Sequence, residues 1–161
     1  MIKNDDVSGI LTRQGNKAKN IFNETKSIFC SFFDKKIILN SDGLHHLKYS
    51  SRKERPKQEQ LLKLNLLPLG LKIIGRAGTV QEYRANLIKI GQPSGLSRLY
   101  STKKVEYWGF VAICHTKRKD YDIKIKVILK RIGNGNIHFW SLMPYGNINN
   151  QKLYDTGIED V

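Results

Sequence analysis

Four histidines, His45, His46, His115 and His138, are the side chains of this chain that titrate near neutral pH and so could pass protons. None stands in a His-x-x-x-His or His-x-Glu spacing, there is no Cys-x-x-Cys pair, and the carboxylates are few and scattered. A metal site therefore has no obvious ligand set, and a paired-carboxylate hydrolase has no anchor. The chain also lacks the Gly-x-x-x-x-Gly-Lys-Ser/Thr loop that cradles phosphates and the Gly-x-Ser-x-Gly elbow of serine hydrolases. What remains is a metal-free set of histidine, lysine, arginine and hydroxyl groups, with no cofactor implied. RNA can be cut with that set alone, because its own 2′-hydroxyl is the nucleophile. The protein must take a proton from that hydroxyl, return one to the 5′-oxygen, and neutralise charge on the phosphorane.

His45 and His46 open a basic segment that runs from Lys48 to Lys57. On a helix, adjacent side chains point about 100° apart, so only one of the two can follow the core-side direction of Leu44 and Leu47. His46 is favoured as the functional one. Arg52 and Arg55 are three apart and could clamp a phosphate with their planar forks, with Lys48 and Lys57 flanking them. The plainer reading of such a charge run is a solvated loop.

The elements that must position these groups follow from periodicity. Residues 1–15 are polar, carry Gly9 and Gly15, and read as a flexible leader. Apolar residues between Asn16 and Phe33 recur at spacings of three, four and seven, one face of an amphipathic helix. Lys36–Asn40 reads as a strand. Ser41 and Asp42 offer cap oxygens for a short helix through Leu47. Pro56 suits a first helical turn, and Gln58–Leu67 should be that helix, closed by Pro68 and Gly70. Leu71–Gly75 reads as a short strand, and 76–104 carries weak signals, with Val80–Ile90 strand-like and a loop at 92–95. Three strong strands follow: Glu106–His115, Tyr121–Ile132 and Asn136–Met143, the last two joined by an Asn-Gly turn. Residues 146–161 read as a polar C-terminal tail. The expectation is α+β: helices first, then an antiparallel meander, in one domain over 16–145.

In Tyr121–Ile132, Ile123, Ile125, Val127 and Leu129 share one face and Lys124, Lys126 and Lys130 the other. In the partner strand, Ile137 and Phe139 alternate with His138 and Trp140. The sheet is thus expected to have one apolar side for the helices and an open side with lysines, an imidazole and an indole. Such a floor could hold RNA through phosphate contacts and stacking, or could be a merely solvated face.

The chain has 161 residues, and its formal net charge of +14 makes nucleic acid the first partner to consider and an anionic membrane the second. No run approaches the about 20 apolar residues of a membrane helix, and the start is too polar for a secretory signal, so a cytoplasmic location is expected. Cys30 and Cys114 fall far apart in apolar segments and read as buried free thiols in a reducing compartment.

The segment Asp42–Lys48 (DGLHHLK) through Arg52–Lys57 (RKERPK), with the final hairpin ending Ile137–Pro144 (IHFWSLMP), resembles the phage-associated barnase/EndoU/colicin/RelE-like (BECR-fold) nucleases. The resemblance spans roughly residues 36–144. It implies an α+β fold with a four-stranded antiparallel sheet, metal-independent endoribonuclease activity, and a toxin role often directed at transfer RNA. It also implies that His46 and the basic residues after it are functional, and that Ser141 supplies a hydroxyl on the last strand. By plain alternation Ser141 shares the face of Phe139, so that role requires a bulge. The combined expectation is His46 and His138 as the proton-transfer pair in either order, with Arg55 and Ser141 in the catalytic set. Lys48, Arg52, Lys57, Lys124 and Lys126 would contact RNA, with Trp140 stacking a base. The alternatives are a non-catalytic RNA- or DNA-binding module, and a basic protein whose ligand is an acidic antitoxin or immunity protein.

Overall fold

The structure, a computed structural model, describes residues 4–50, 52–96, 98–116, 121–144, 146–148 and 151–154. It is α+β. Helices α1 (Asn4–Thr25), α2 (Ser41–Lys48) and α3 (Lys57–Arg76) accompany a six-stranded mixed sheet. That sheet is ordered β1 (Ser27–Cys30), β2 (Lys35–Ile38), β8 (His138–Pro144), β7 (Tyr121–Ile132), β6 (Leu99–Thr116), β5 (Glu82–Ser94). The expectation of a four-stranded antiparallel sheet is corrected to this larger mixed sheet, in which β5, β6, β7 and β8 pair antiparallel in chain order. The hairpin β1–β2 adds two strands, joined to β8 by a parallel pairing at Ile38 and His138. Two small ribbons, β3 (Tyr49–Ser50) with β4 (Lys53–Glu54) and β9 (Gly146–Ile148) with β10 (Gln151–Tyr154), complete the described elements.

Several boundaries differ from the sequence reading. Described residues of the expected leader, 4–15, are the first half of α1, which packs on α3 and buries Ala18 and Phe22. That helix stops at Thr25 and not at Phe33. Lys26 adopts φ 59°, and its carbonyl accepts from the Leu39 backbone N–H at 2.8 Å, which starts the β1–β2 hairpin. Helix α3 runs straight through Pro68 and Gly70 to Arg76, so Leu71–Gly75 is helix and no strand. An interior proline costs a helix about 3 kcal/mol. Burial of Leu64, Leu66, Leu67, Leu71, Ile73 and Ile74 outweighs it, each apolar side chain contributing about 1.5–3 kcal/mol. Gly70 has a packing reason to be glycine: a Cβ there would lie 2.9 Å from Leu142 and 3.5 Å from Val127. The expected tail, 146–161, holds the β9–β10 ribbon beside β8; residues 155–161 lie outside the described residues.

The core lies between the helices and one sheet face, where Phe110, Ile125, Val127, Leu129, Phe139 and Leu142 are buried. Phe33, in the β1–β2 turn, inserts beneath that face with its ring 5.0 Å from that of Trp108. The opposite face is not the open floor expected: Val105, Tyr107, Ile128, Trp140 and Met143 form a second buried cluster there. Cys30 is fully buried, while Cys114 is only half-buried; both are free thiols.

Candidate functional site

Helix α2 is seated on β8 by a glycine. Asn40 caps it, its Oδ1 accepting from Gly43 N–H at 3.2 Å. A Cβ at Gly43 would collide with the Phe139 carbonyl oxygen, so the helix backbone rests on the strand backbone there. Residues three apart on a helix share a face, so His46 follows Gly43 onto β8 and its ring meets the Trp140 indole at 4.4 Å between centroids. His45 points outward and stacks on Tyr49. Of the two adjacent histidines, His46 is thus the inward one and His45 the outward one.

The strand supplies the other half through a β-bulge. Ile128 pairs with Ser141 and Leu129 with Phe139, which leaves Trp140 as an extra residue on β8. The bulge moves Ser141 off the face of Phe139 and opposite Ile128. Trp140 joins the second cluster on that side. His138, paired with Lys130, approaches the same indole edge-on at 6.0 Å. Lys130 Nζ lies over the Trp140 ring, 3.6 Å from its centroid. Two imidazoles, an indole and an ammonium therefore meet where α2 crosses β8.

Burial sets the charge states there. His138 has its pKa lowered, first by desolvation and then by the Lys130 charge; Asp42 and a hydrogen bond with the Asn136 backbone oppose this in part. Lys130 is itself held below the ordinary lysine range by burial, against the pull of Asp42. His138 Nε2 and Trp140 Nε1 are buried without a hydrogen-bond partner among the described residues.

Sequence reasoning missed Lys63. It is fully buried, and its Nζ donates to the Leu142 carbonyl at 2.8 Å and lies 3.4 Å from Ser141 Oγ. The signal was available: Lys63 precedes Leu67, Gly70 and Ile74 by four, seven and eleven residues, on the stripe that faces the sheet.

Other expected site residues are placed elsewhere. Arg55 is buried and structural. Its Nε donates to the His46 carbonyl at 3.0 Å and its NH1 pairs with Glu59 at 2.8 Å, which secures the last turn of α2. Arg52, exposed in the β3–β4 turn at φ 67°, therefore forms no phosphate clamp with it. Lys126 is fully buried and bridges Glu82 at 2.6 Å, passing over Gly109, so it is no surface phosphate contact. Trp140 is covered, so its faces are not a free stacking platform. Lys57 bonds Ser8 Oγ at 2.9 Å. Lys48 lies by Gly15, and Lys124 is exposed on β7 across from Ile113. A cleft of about 600 Å³ between the end of α3 and β6, lined by Arg76, Phe110 and His115 among others, contains none of the expected site residues.

Among the described residues no group of three His, Cys, Asp or Glu side chains comes together as a metal ion would need, and no described helix is long and apolar enough to cross a membrane. Comparison with protein-family models, curated proteins and solved structures finds no match.

Proposed function

We propose that the protein is a metal-independent endoribonuclease of the toxin type, acting in the cytoplasm on transfer RNA or another RNA. The observation that carries this reading is the approach of His46 and His138 to one indole, from α2 on one side and β8 on the other. Two imidazoles so placed, with a cation beside them, are the minimum that 2′-hydroxyl transesterification demands. The α+β class is what the resemblance to BECR-fold nucleases implies, with a six-stranded mixed sheet in place of four antiparallel strands, and the bulge at Trp140 turns Ser141 from the face of Phe139.

The roles follow from environment. His138, kept neutral by burial and by Lys130, is the base that accepts the 2′-hydroxyl proton. The freed oxygen attacks phosphorus to close a 2′,3′-cyclic phosphate, and His46 gives its proton to the departing 5′-oxygen. Lys130, in place of Lys126, supplies positive charge to the phosphorane. The pair is buried, His46 4% and His138 8% exposed, so this reading requires the cover over it to open for the substrate. An acidic antitoxin or immunity protein would find its complement in the net charge of +14.

That same burial favours a second reading, a non-catalytic nucleic-acid-binding module in which the two histidines only pack Trp140. Incubation with transfer RNA in EDTA separates the two. The nuclease gives discrete fragments with 2′,3′-cyclic phosphate ends, lost in both His46→Ala and His138→Ala. Intact RNA that shifts on a gel would sink the nuclease and leave the binding module.

A further inference from the structure

The hairpin β5–β6 is much longer than the sheet that supports it. Strand β7 ends at Ile132, paired with Val105, whereas β5 and β6 continue pairing from Asn86 and Val105 to Ser94 and Leu99. At about 3.3 Å per residue, that two-stranded arm reaches on the order of 25 Å past its last neighbour. Residues 83–105 contain five Lys or Arg and no Asp or Glu. The arm is also rich in exposed apolar surface: Leu87, Leu96 and Leu99 are largely or wholly exposed, Tyr83 is 51% and Tyr100 40% exposed.

Register sorts these groups. Leu87 lies opposite Lys104 and Lys89 opposite Thr102, so Tyr83, Leu87 and Lys89 share a face with Tyr100 and Lys104. On that face Lys89 Nζ stands 4.8 Å from the Tyr100 ring centroid. An isolated ribbon with so much exposed apolar surface is a liability unless it has something to cover it. Alternating cations and rings on an acid-free surface match a strand of phosphates with unpaired bases between them. Duplex grooves hide base faces, whereas RNA loops and single strands present them.

We propose that the β5–β6 arm is a docking element for single-stranded RNA, with Lys89 on that face and Arg98 at the tip on phosphates, and Tyr100 and Leu87 against bases. The choice of RNA rests on the RNA-directed function proposed above; the arm would serve the nuclease and the binding module alike, at a distance from the histidines.

Anisotropy with a labelled 2′-O-methyl RNA oligonucleotide, which lacks a free 2′-hydroxyl and cannot be cut by transesterification, tests this. The variant Lys89→Ala/Arg98→Ala should bind at least 10-fold more weakly than the unaltered chain. Its log affinity should fall less steeply with log salt, by about 1.4 in slope for two lost single-strand contacts. Tyr100→Ala, a single exposed change, should weaken binding about 5- to 150-fold. Thermal melts of both variants near that of the parent exclude misfolding as the cause. Parent-like binding by both variants overturns the arm while leaving the RNA-directed reading intact. Tighter binding to DNA of the same sequence overturns the choice of RNA. Binding to phosphatidylserine vesicles with none to RNA overturns both the arm and the reading it rests on. Cleavage of transfer RNA, followed separately, reports on the nuclease alone.

Discussion

The rings of His46 and Trp140 meet at a tilt of 31° with centroids 4.4 Å apart, and this contact fastens α2 to the bulged stretch of β8. It exists because Gly43, one turn earlier, lets the helix backbone touch the strand backbone at Phe139. The position of the imidazole is therefore set by an absent side chain.

Gly43→Ala should accordingly lift α2 from β8. Overpacking of this kind costs about 1–3 kcal/mol, and here the obstacle is backbone, which yields least. The check is urea unfolding beside Gly9→Ala. A Cβ at Gly9 in α1 would meet nothing within 4 Å, so that change should stabilise by up to about 1 kcal/mol from helix propensity. Equal effects of the two would show that the Gly43 contact does not hold the helix.

His138 should make stability depend on pH. Its pKa is lowered in the fold by burial and Lys130, from a model-peptide value of 6.5. Below 6.5 the unfolded chain gains a proton that the folded chain refuses, so unfolding becomes easier as pH drops towards the lowered value. Above 6.5 both states are neutral at this site and its contribution is flat. Unfolding free energy measured from pH 8 to pH 5 should fall more steeply in the parent than in His138→Gln. Parallel profiles would remove His138 from the acid side of the stability curve. The groups that face it are Lys130, Asp42 and Trp140, so the comparison is best repeated in Lys130→Met, where the fall should be shallower.

Much of this arrangement was legible in the sequence. The alternation in β7 and β8 put His138 and Lys130 on one face, and the Asn-Gly turn fixed their hairpin. The direction of Leu44 and Leu47 required His45 and His46 to part, only one of them turning inward. Four features were not legible, each for a physical reason. Helix α3 passes Pro68 because tertiary burial outweighs a local penalty that pattern reading takes as a stop. The bulge at Trp140 shifts Ser141 by one face, and a bulge leaves no residue signature when no glycine is involved. The cations Arg55 and Lys126 look like surface charge until long-range partners, the His46 carbonyl and Glu82, draw them inside. The arm at 86–104 was weak in pattern because a ribbon solvated on both faces has no reason to alternate.

Glu106 anchors the root of that arm. Burial on its own would raise its pKa, but hydrogen bonds from Tyr83, Arg131 and Lys104 prevail and hold it below the usual carboxylate range. Tyr83 Oη donates to it at 2.7 Å and Arg131 NH2 at 2.6 Å. Glu106→Gln keeps the shape and removes the charge, leaving the partly covered Arg131 without its counter-ion, and should cost about 1–3 kcal/mol at pH 7. The depressed pKa means the parent's advantage is present above pH 4.5 and disappears as pH falls through the folded value. Denaturant melts of both proteins at pH 7 and pH 3 should therefore converge at the acid end. Equal stability of the two proteins at pH 7 would mean that the charge of Glu106 does not secure the arm.

Pro68 offers the converse test, a residue the fold tolerates and does not need. It stands exposed in the middle of α3, where it can donate no hydrogen bond to the Leu64 carbonyl one turn back. Its neighbours Leu67, Leu71 and Ile74 face the core, so the backbone path there is held by burial. Pro68→Ala restores the missing donor and removes the ring's clash with that carbonyl. The substitution should raise stability by about 1–3 kcal/mol. For a chain of this length that is a rise of several degrees in Tm. Gly70 next to it must stay as it is, because Gly70→Ala drives a methyl into Leu142 and should destabilise. If Pro68→Ala instead destabilises, the helix depends on a kink at that position to bring Gly70 against the sheet.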